Sequence, residues 1–126
     1  YGETLGLKVL NTPLLIGINW VMLVFATGSV VEQLSISDPG KVLLASVLMV
    51  LYDLLLEFTA PVLDMWTWYN DIVPARNYVA WFLIAAILHS MFKILHVKTS
   101  SSIASSILAC QALFFIFLII FFRLAK

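Results

Sequence analysis

Four stretches of the chain are apolar for long enough to cross a bilayer, which takes roughly 20 residues at 1.5 Å rise each. They run over residues 13–31, 42–60, 77–95 and 102–124, separated by short polar breaks. None carries the polar stripe that a helix of a water-soluble bundle turns to solvent. The pattern therefore predicts an all-α, polytopic membrane bundle of about four transmembrane helices, forming a single domain over residues 1–126. The first span carries no charge, and Pro13 fits the opening turn of a helix, where its missing N–H is no loss. The second follows Ser37, Asp38, Pro39 and Gly40, with Asp38 the expected cap. The fourth contains the unbroken apolar run 113–122 and closes on Arg123 and Lys126.

The segment 61–76, between the second and third spans, has a different character. Trp66, Trp68 and Tyr69 stand there among Asp64, Asn70, Asp71 and Arg76. Amphipathic aromatics gather at the headgroup level, so this segment is expected to be interfacial or re-entrant and not to span.

Composition agrees with the pattern. The chain is 63% hydrophobic and 11% charged, well short of the roughly 25% charged residues of a soluble domain. Seven basic and seven acidic residues leave no net charge, which argues against a nucleic-acid partner. The basic residues divide into Lys8, Arg76, Arg123 and Lys126 on one membrane face and Lys41, Lys93 and Lys98 on the other. That margin is too small for the positive-inside rule to orient the protein. The single cysteine, Cys110, has no partner for an internal disulfide and reads as a small buried apolar residue. No metal-ligand spacing, phosphate loop or Ser/His/Asp set is present. The chain opens on Tyr1, and the expectation is a piece of a longer protein.

Candidate chemistry lies in the second span. A charged residue within a span costs about 2.5–3.5 kcal/mol on insertion scales, and this span holds two, Asp53 and Glu57. Four residues apart, they share one helix face. In a low dielectric they resist carrying two negative charges together, and a protonated acid beside a carboxylate is a usable acid/base pair. With the face that holds the Trp66 segment named side A, helical rise puts Asp53 roughly 10 Å and Glu57 roughly 5 Å below it, and Asn19 roughly 9 Å. Trp20 adjoins Asn19, and Tyr78 and Trp81 lie within roughly 6 Å of the same face. Three antiparallel helices thus bring polar and aromatic groups to one half of the bilayer, beneath the tryptophan segment. The competing reading is structural: Asp53 and Glu57 would pair with Arg76 or Asn19, and the tryptophans would be belt residues. His89, deeper in the third span, reads as a satisfied interior residue, Gln111 as packing glue, and His96 as solvated.

The run Tyr52-Asp53-Leu54-Leu55-Leu56-Glu57, then Trp66-Thr67-Trp68, then Val73-Pro74-Ala75-Arg76-Asn77-Tyr78-Val79-Ala80-Trp81 resembles the membrane carotenoid biosynthesis proteins that include the carotenoid 1,2-hydratases. The opening, with Tyr1-Gly2, Leu5-Gly6 and Pro13-Leu14-Leu15-Ile16-Gly17-Ile18-Asn19-Trp20, is similar to the same family. The resemblance covers residues 1–82; beyond them only hydrophobicity matches. Phe58 stands where the family usually has proline, Arg76 where it often has glutamine, and Asn70-Asp71 replaces a glycine-like turn. Family members are longer at the N-terminus, which makes this chain the expected C-terminal part of the family architecture.

The resemblance implies a cofactor-independent lyase that adds water across the terminal C1=C2 double bond of an acyclic carotenoid. Asp53 and Glu57 would divide the acid and base roles, in an order that the sequence leaves open. Asn19 and Asn77 would position water, and Trp20, Trp66, Trp68, Tyr78 and Trp81 would bind substrate or face a carbocation. The implied partners are a carotenoid or other isoprenoid, the bilayer, and further membrane proteins or a second copy. The implied location is a bacterial cytoplasmic membrane. Two alternatives stand beside this reading: a related end-group cyclase, and a non-catalytic carotenoid-binding or structural subunit.

Overall fold

A computed structural model describes residues 1–2 and 4–125; Lys126, counted above with the basic residues of side A, lies outside them. Four long helices make up the body: α1 (Leu14–Glu32), α2 (Asp38–Thr59), α3 (Ala75–Ile94) and α4 (Ser102–Leu124). Each is long and apolar enough to cross a membrane. The protein is a polytopic membrane helical bundle, as the hydrophobic pattern predicts. The segment between α2 and α3 is turns plus one short 3-10 stretch, Tyr69–Asp71, and does not span.

Helix boundaries correct the sequence reading in three places. Pro13 is not in the first turn of α1. It precedes the helix with extended backbone (φ −60°, ψ 129°) and ends a small hairpin in which β1 (Lys8–Val9) pairs antiparallel with β2 (Thr12–Pro13). Leu10 and Asn11 make the turn, both with positive φ, the geometry that matches strand twist in a two-residue hairpin. The hairpin went unforeseen because two-residue strands leave no alternation to read. Second, α2 begins four residues earlier than expected, at Asp38. Ser37 is its cap and accepts from the Gly40 N–H at 3.4 Å, while Asp38 lies in the first turn, where a carboxylate meets the helix dipole favourably. Third, α3 begins at Ala75, which puts Arg76 in its first turn and not in the loop. The fourth span has the expected bounds, capped by Ser101, which accepts from the Ala104 N–H at 3.3 Å.

The helices α1 and α2 supply most of the interior. Leu23, Val24, Met49, Tyr52, Leu56 and Ala85 form the buried cluster, with Leu108 and Phe115 of α4 packed against it. Packing between apolar helices in lipid depends on close approach and polar contacts, and both occur along one stretch of α1. Gly28 faces Thr99, with a built Cβ position 3.4 Å from the Thr99 hydroxyl oxygen. Ser29 donates to the Ser101 carbonyl and accepts from the Ser101 N–H, each at 2.7 Å. Thr27 donates to the Leu23 carbonyl at 2.7 Å, so its oxygen is left to accept from Nε2 of buried His89 at 3.2 Å. His89 is thus the satisfied interior residue that its position suggested. His96 is exposed, in keeping with the solvated reading.

At the face opposite side A, Glu32 pairs with Lys41 at 2.6 Å and with Lys93, and Lys93 also reaches Asp38 at 2.9 Å. This cluster ties α1, α2 and α3 together at that end and neutralises two of the three basic residues counted there. Cys110 departs from expectation: it is exposed, because α4 fully buries only Ala104 and turns most of its surface outward.

Candidate functional site

The site is built at the side A end of the bundle. Counting rise from the end of α2 at Thr59, Glu57 lies about 3 Å and Asp53 about 9 Å below that level. Asp53 is 8% exposed, and its Oδ2 is buried with no hydrogen-bond partner among the described residues. An unmade bond of this kind costs about 1–3 kcal/mol, more for a charged group. Asp53 lines a cavity of about 580 Å³, with the orphaned oxygen itself shut away from the surface.

Glu57 is in the opposite condition. Trp66 Nε1 donates to both of its oxygens, at 3.2 and 3.1 Å, and Trp68 Nε1 donates to Oε2 at 2.8 Å. An indole N–H can only donate, so both Glu57 oxygens are held as acceptors. The tryptophans of the loop therefore latch onto the carboxylate through their polar edges as well as presenting aromatic surface. Their spacing explains how: in the irregular segment after Asp64, with its positive φ, residues 66 and 68 both turn back toward the end of α2. Asn70 and Asp71 then reverse the chain, each at φ 55°, a conformation that Asn and Asp adopt more readily than most residues.

Asn19 and Trp20 of α1 and Asn77 and Trp81 of α3 line the same cavity. Helices α1, α2 and α3 do bring their polar and aromatic residues together. Tyr78 is not on the cavity wall. It packs edge-on against Trp81, with ring centroids 5.2 Å apart, and Trp81 in turn meets Trp68 at 6.2 Å. Arg76 is exposed and, among the described residues, pairs with neither Asp53 nor Glu57, which removes the proposed structural ion pair.

Several wall residues were not singled out from sequence. Gln111, read as packing glue, makes no hydrogen bond among the described residues and lines the cavity instead, one turn before Phe115. Phe115 packs edge-on against Tyr52 at 5.9 Å and joins α4 to the wall. The legible signal was the spacing of Leu108, Gln111 and Phe115, which puts one amide on the inner face of an otherwise apolar helix. The Tyr1–Gly2 segment lies against the loop at the top of the site. The Gly2 N–H donates to the Met65 carbonyl at 2.8 Å, and Tyr1 meets Trp66 edge-on at 6.4 Å.

Four apolar helices around a cavity that holds one unpartnered and one latched carboxylate define an integral membrane protein with an acid-bearing interior site. The family comparison makes this particular. The carotenoid biosynthesis protein family matches residues 1–126, and the chain belongs to that family, with a role in carotenoid biosynthesis. No curated protein and no solved structure matches it.

Proposed function

We propose that the protein is a carotenoid end-group hydratase, adding water across the terminal C1=C2 double bond of an acyclic carotenoid. The observation that carries this reading is the contrast between the two carboxyl groups: Asp53 buried at the cavity wall with a free oxygen, Glu57 held as an acceptor by two indoles. On that basis Asp53 is the acid and Glu57 the base. Asp53 protonates C2, and the π electrons of the double bond form the new C–H bond, leaving a tertiary cation at C1. Trp20 and Trp81 line the cavity, and an indole face turned to that cation would stabilise it. Water then attacks C1, and its extra proton passes to Glu57. Return of that proton to Asp53, one helical turn away, restores the starting state with no net consumption of acid. No cofactor enters the scheme.

Asn19, Asn77 and Gln111 on the cavity wall favour a site that holds water over the dry pocket a cyclase requires. The single-domain organisation, as part of a longer protein in a bacterial cytoplasmic membrane, belongs to the same proposal.

The test is pigment analysis in a lycopene-producing host. The expected result is a product heavier by one water, falling about 10²–10⁴-fold, the usual contribution of an acid/base group, in Asp53→Asn. Undiminished hydroxylated product in that variant would overturn the assignment. Pigment that stays bound to the wild-type protein without gaining water would favour the binding-subunit reading.

A further inference from the structure

Toward the membrane face the cavity is bridged by the tryptophan loop, with Tyr1 and Thr67 at its outer edge. Trp66 and Trp68 are tied to Glu57, and the Tyr1–Gly2 segment lies directly on the loop that carries them. A Cβ on Gly2 would fall 1.9 Å from the Asp64 carbonyl oxygen, so segment and loop are in backbone contact. At greater depth α1 and α3 are joined by the Thr27–His89 hydrogen bond.

The side of the cavity is open. Leu15, Ile18 and Met22 line it, yet they are 52%, 49% and 45% exposed. Their spacing of three and four residues puts them on one flank of α1, next to the inner face that carries Asn19. Leu23, the following inner residue, is 1% exposed and marks where the opening ends. Apolar residues that are both wall and outer surface on a helix apolar enough to span a membrane form a mouth suited to lipid.

We infer that the Leu15–Ile18–Met22 flank of α1 is a lateral portal, across which an elongated apolar isoprenoid lies with one end group at Asp53 and the rest of its chain in the lipid. The inference rests on the reading that a carotenoid end group occupies the cavity, and it adds the route and the residues that grip the chain. A cavity of about 580 Å³ is of ordinary small-ligand size, so a long polyene must leave it somewhere. The roof is crossed by the tryptophans tied to Glu57, whereas the three side chains on the α1 flank are apolar and exposed, as the chain requires.

The experiment is protection of an introduced thiol in the purified full chain in detergent micelles, with Cys110→Ser as background. Ile18→Cys probes the portal. Val79→Cys, 59% exposed on α3, probes a site outside the cavity at the same depth of about 6 Å from its helix start. The rate of modification by methyl methanethiosulfonate is measured by mass, with and without lycopene. With lycopene well above its half-saturating level, so that about nine-tenths of sites are filled, the rate at Ile18→Cys should fall about tenfold while Val79→Cys is unchanged. Equal rates at Ile18→Cys with and without lycopene, or equal slowing at both positions, overturn the portal. Leu15→Cys repeats the measurement on the same flank if Ile18→Cys does not accumulate. The two proposals fail separately: water addition without protection leaves the chemistry and removes the portal, whereas protection that persists while Asp53→Asn keeps full activity does the reverse.

Discussion

The hydrogen bond from Trp68 to Glu57 can be isolated by a double-mutant cycle. Trp68→Phe keeps an aromatic ring beside Trp81 but deletes the N–H that reaches Oε2 at 2.8 Å. Glu57→Met keeps the length of the side chain and deletes the acceptor. Hydrogen bonds to a charged group contribute about 1.5–3 kcal/mol, and Trp66 still serves the carboxylate from 3.1 and 3.2 Å, so part of the loss is recovered. The expected coupling is therefore about 1–2 kcal/mol, measured as the failure of the two single changes to add. Reversible unfolding in mixed micelles of increasing SDS content, followed by far-UV circular dichroism so that the lost indole does not disturb the signal, supplies the four stabilities. Trp68→Phe should destabilise the wild-type background clearly and the Glu57→Met background little. Strict additivity, with coupling below about 0.5 kcal/mol, would mean that the indole merely packs there and that the latch does not exist.

Two further outcomes test the surrounding structure. Gly2→Ala should lift the Tyr1–Gly2 segment, because the added carbon cannot coexist with the Asp64 carbonyl; amide hydrogen exchange over residues 60–68 should speed up while exchange in α4 is unchanged. Thr27→Val removes both the donor to the Leu23 carbonyl and the acceptor for His89. It should cost about 1–3 kcal/mol in the same unfolding assay, as expected for a buried partner left unsatisfied, whereas Thr27→Ser should be close to neutral.

The arrangement assigns different duties to the two membrane halves. At one end the Glu32 cluster and the Thr27–His89 bond tie α1 to its neighbours. At the other, the helices part around the cavity and are bridged by a loop that is fastened through a residue of the site itself. Glu57 is fixed by its loop and Asp53 has an unpartnered oxygen, so two identical functional groups stand in different surroundings.

The sequence by itself determined the four spans and the depth of their polar residues. Lipid rewards uninterrupted apolar length, and helical rise converts position along such a span directly into depth. That is why Asp53, Glu57, Asn19, Asn77 and Trp81 could be assigned to one half of the bilayer before any contact was known. What hydrophobicity could not supply was rotation about each helix axis. All the spans are apolar nearly all round, so nothing in the pattern told which flank of α1 opens outward or that Cys110 turns out. The irregular segments were equally silent, because their shape depends on partners distant in sequence: Trp66 and Trp68 find Glu57, and Gly2 finds the loop at Asp64. Tertiary structure alone decided those pairings, since a donor in a loop or a strand without neighbours has no preferred direction until folding presents the group that satisfies it.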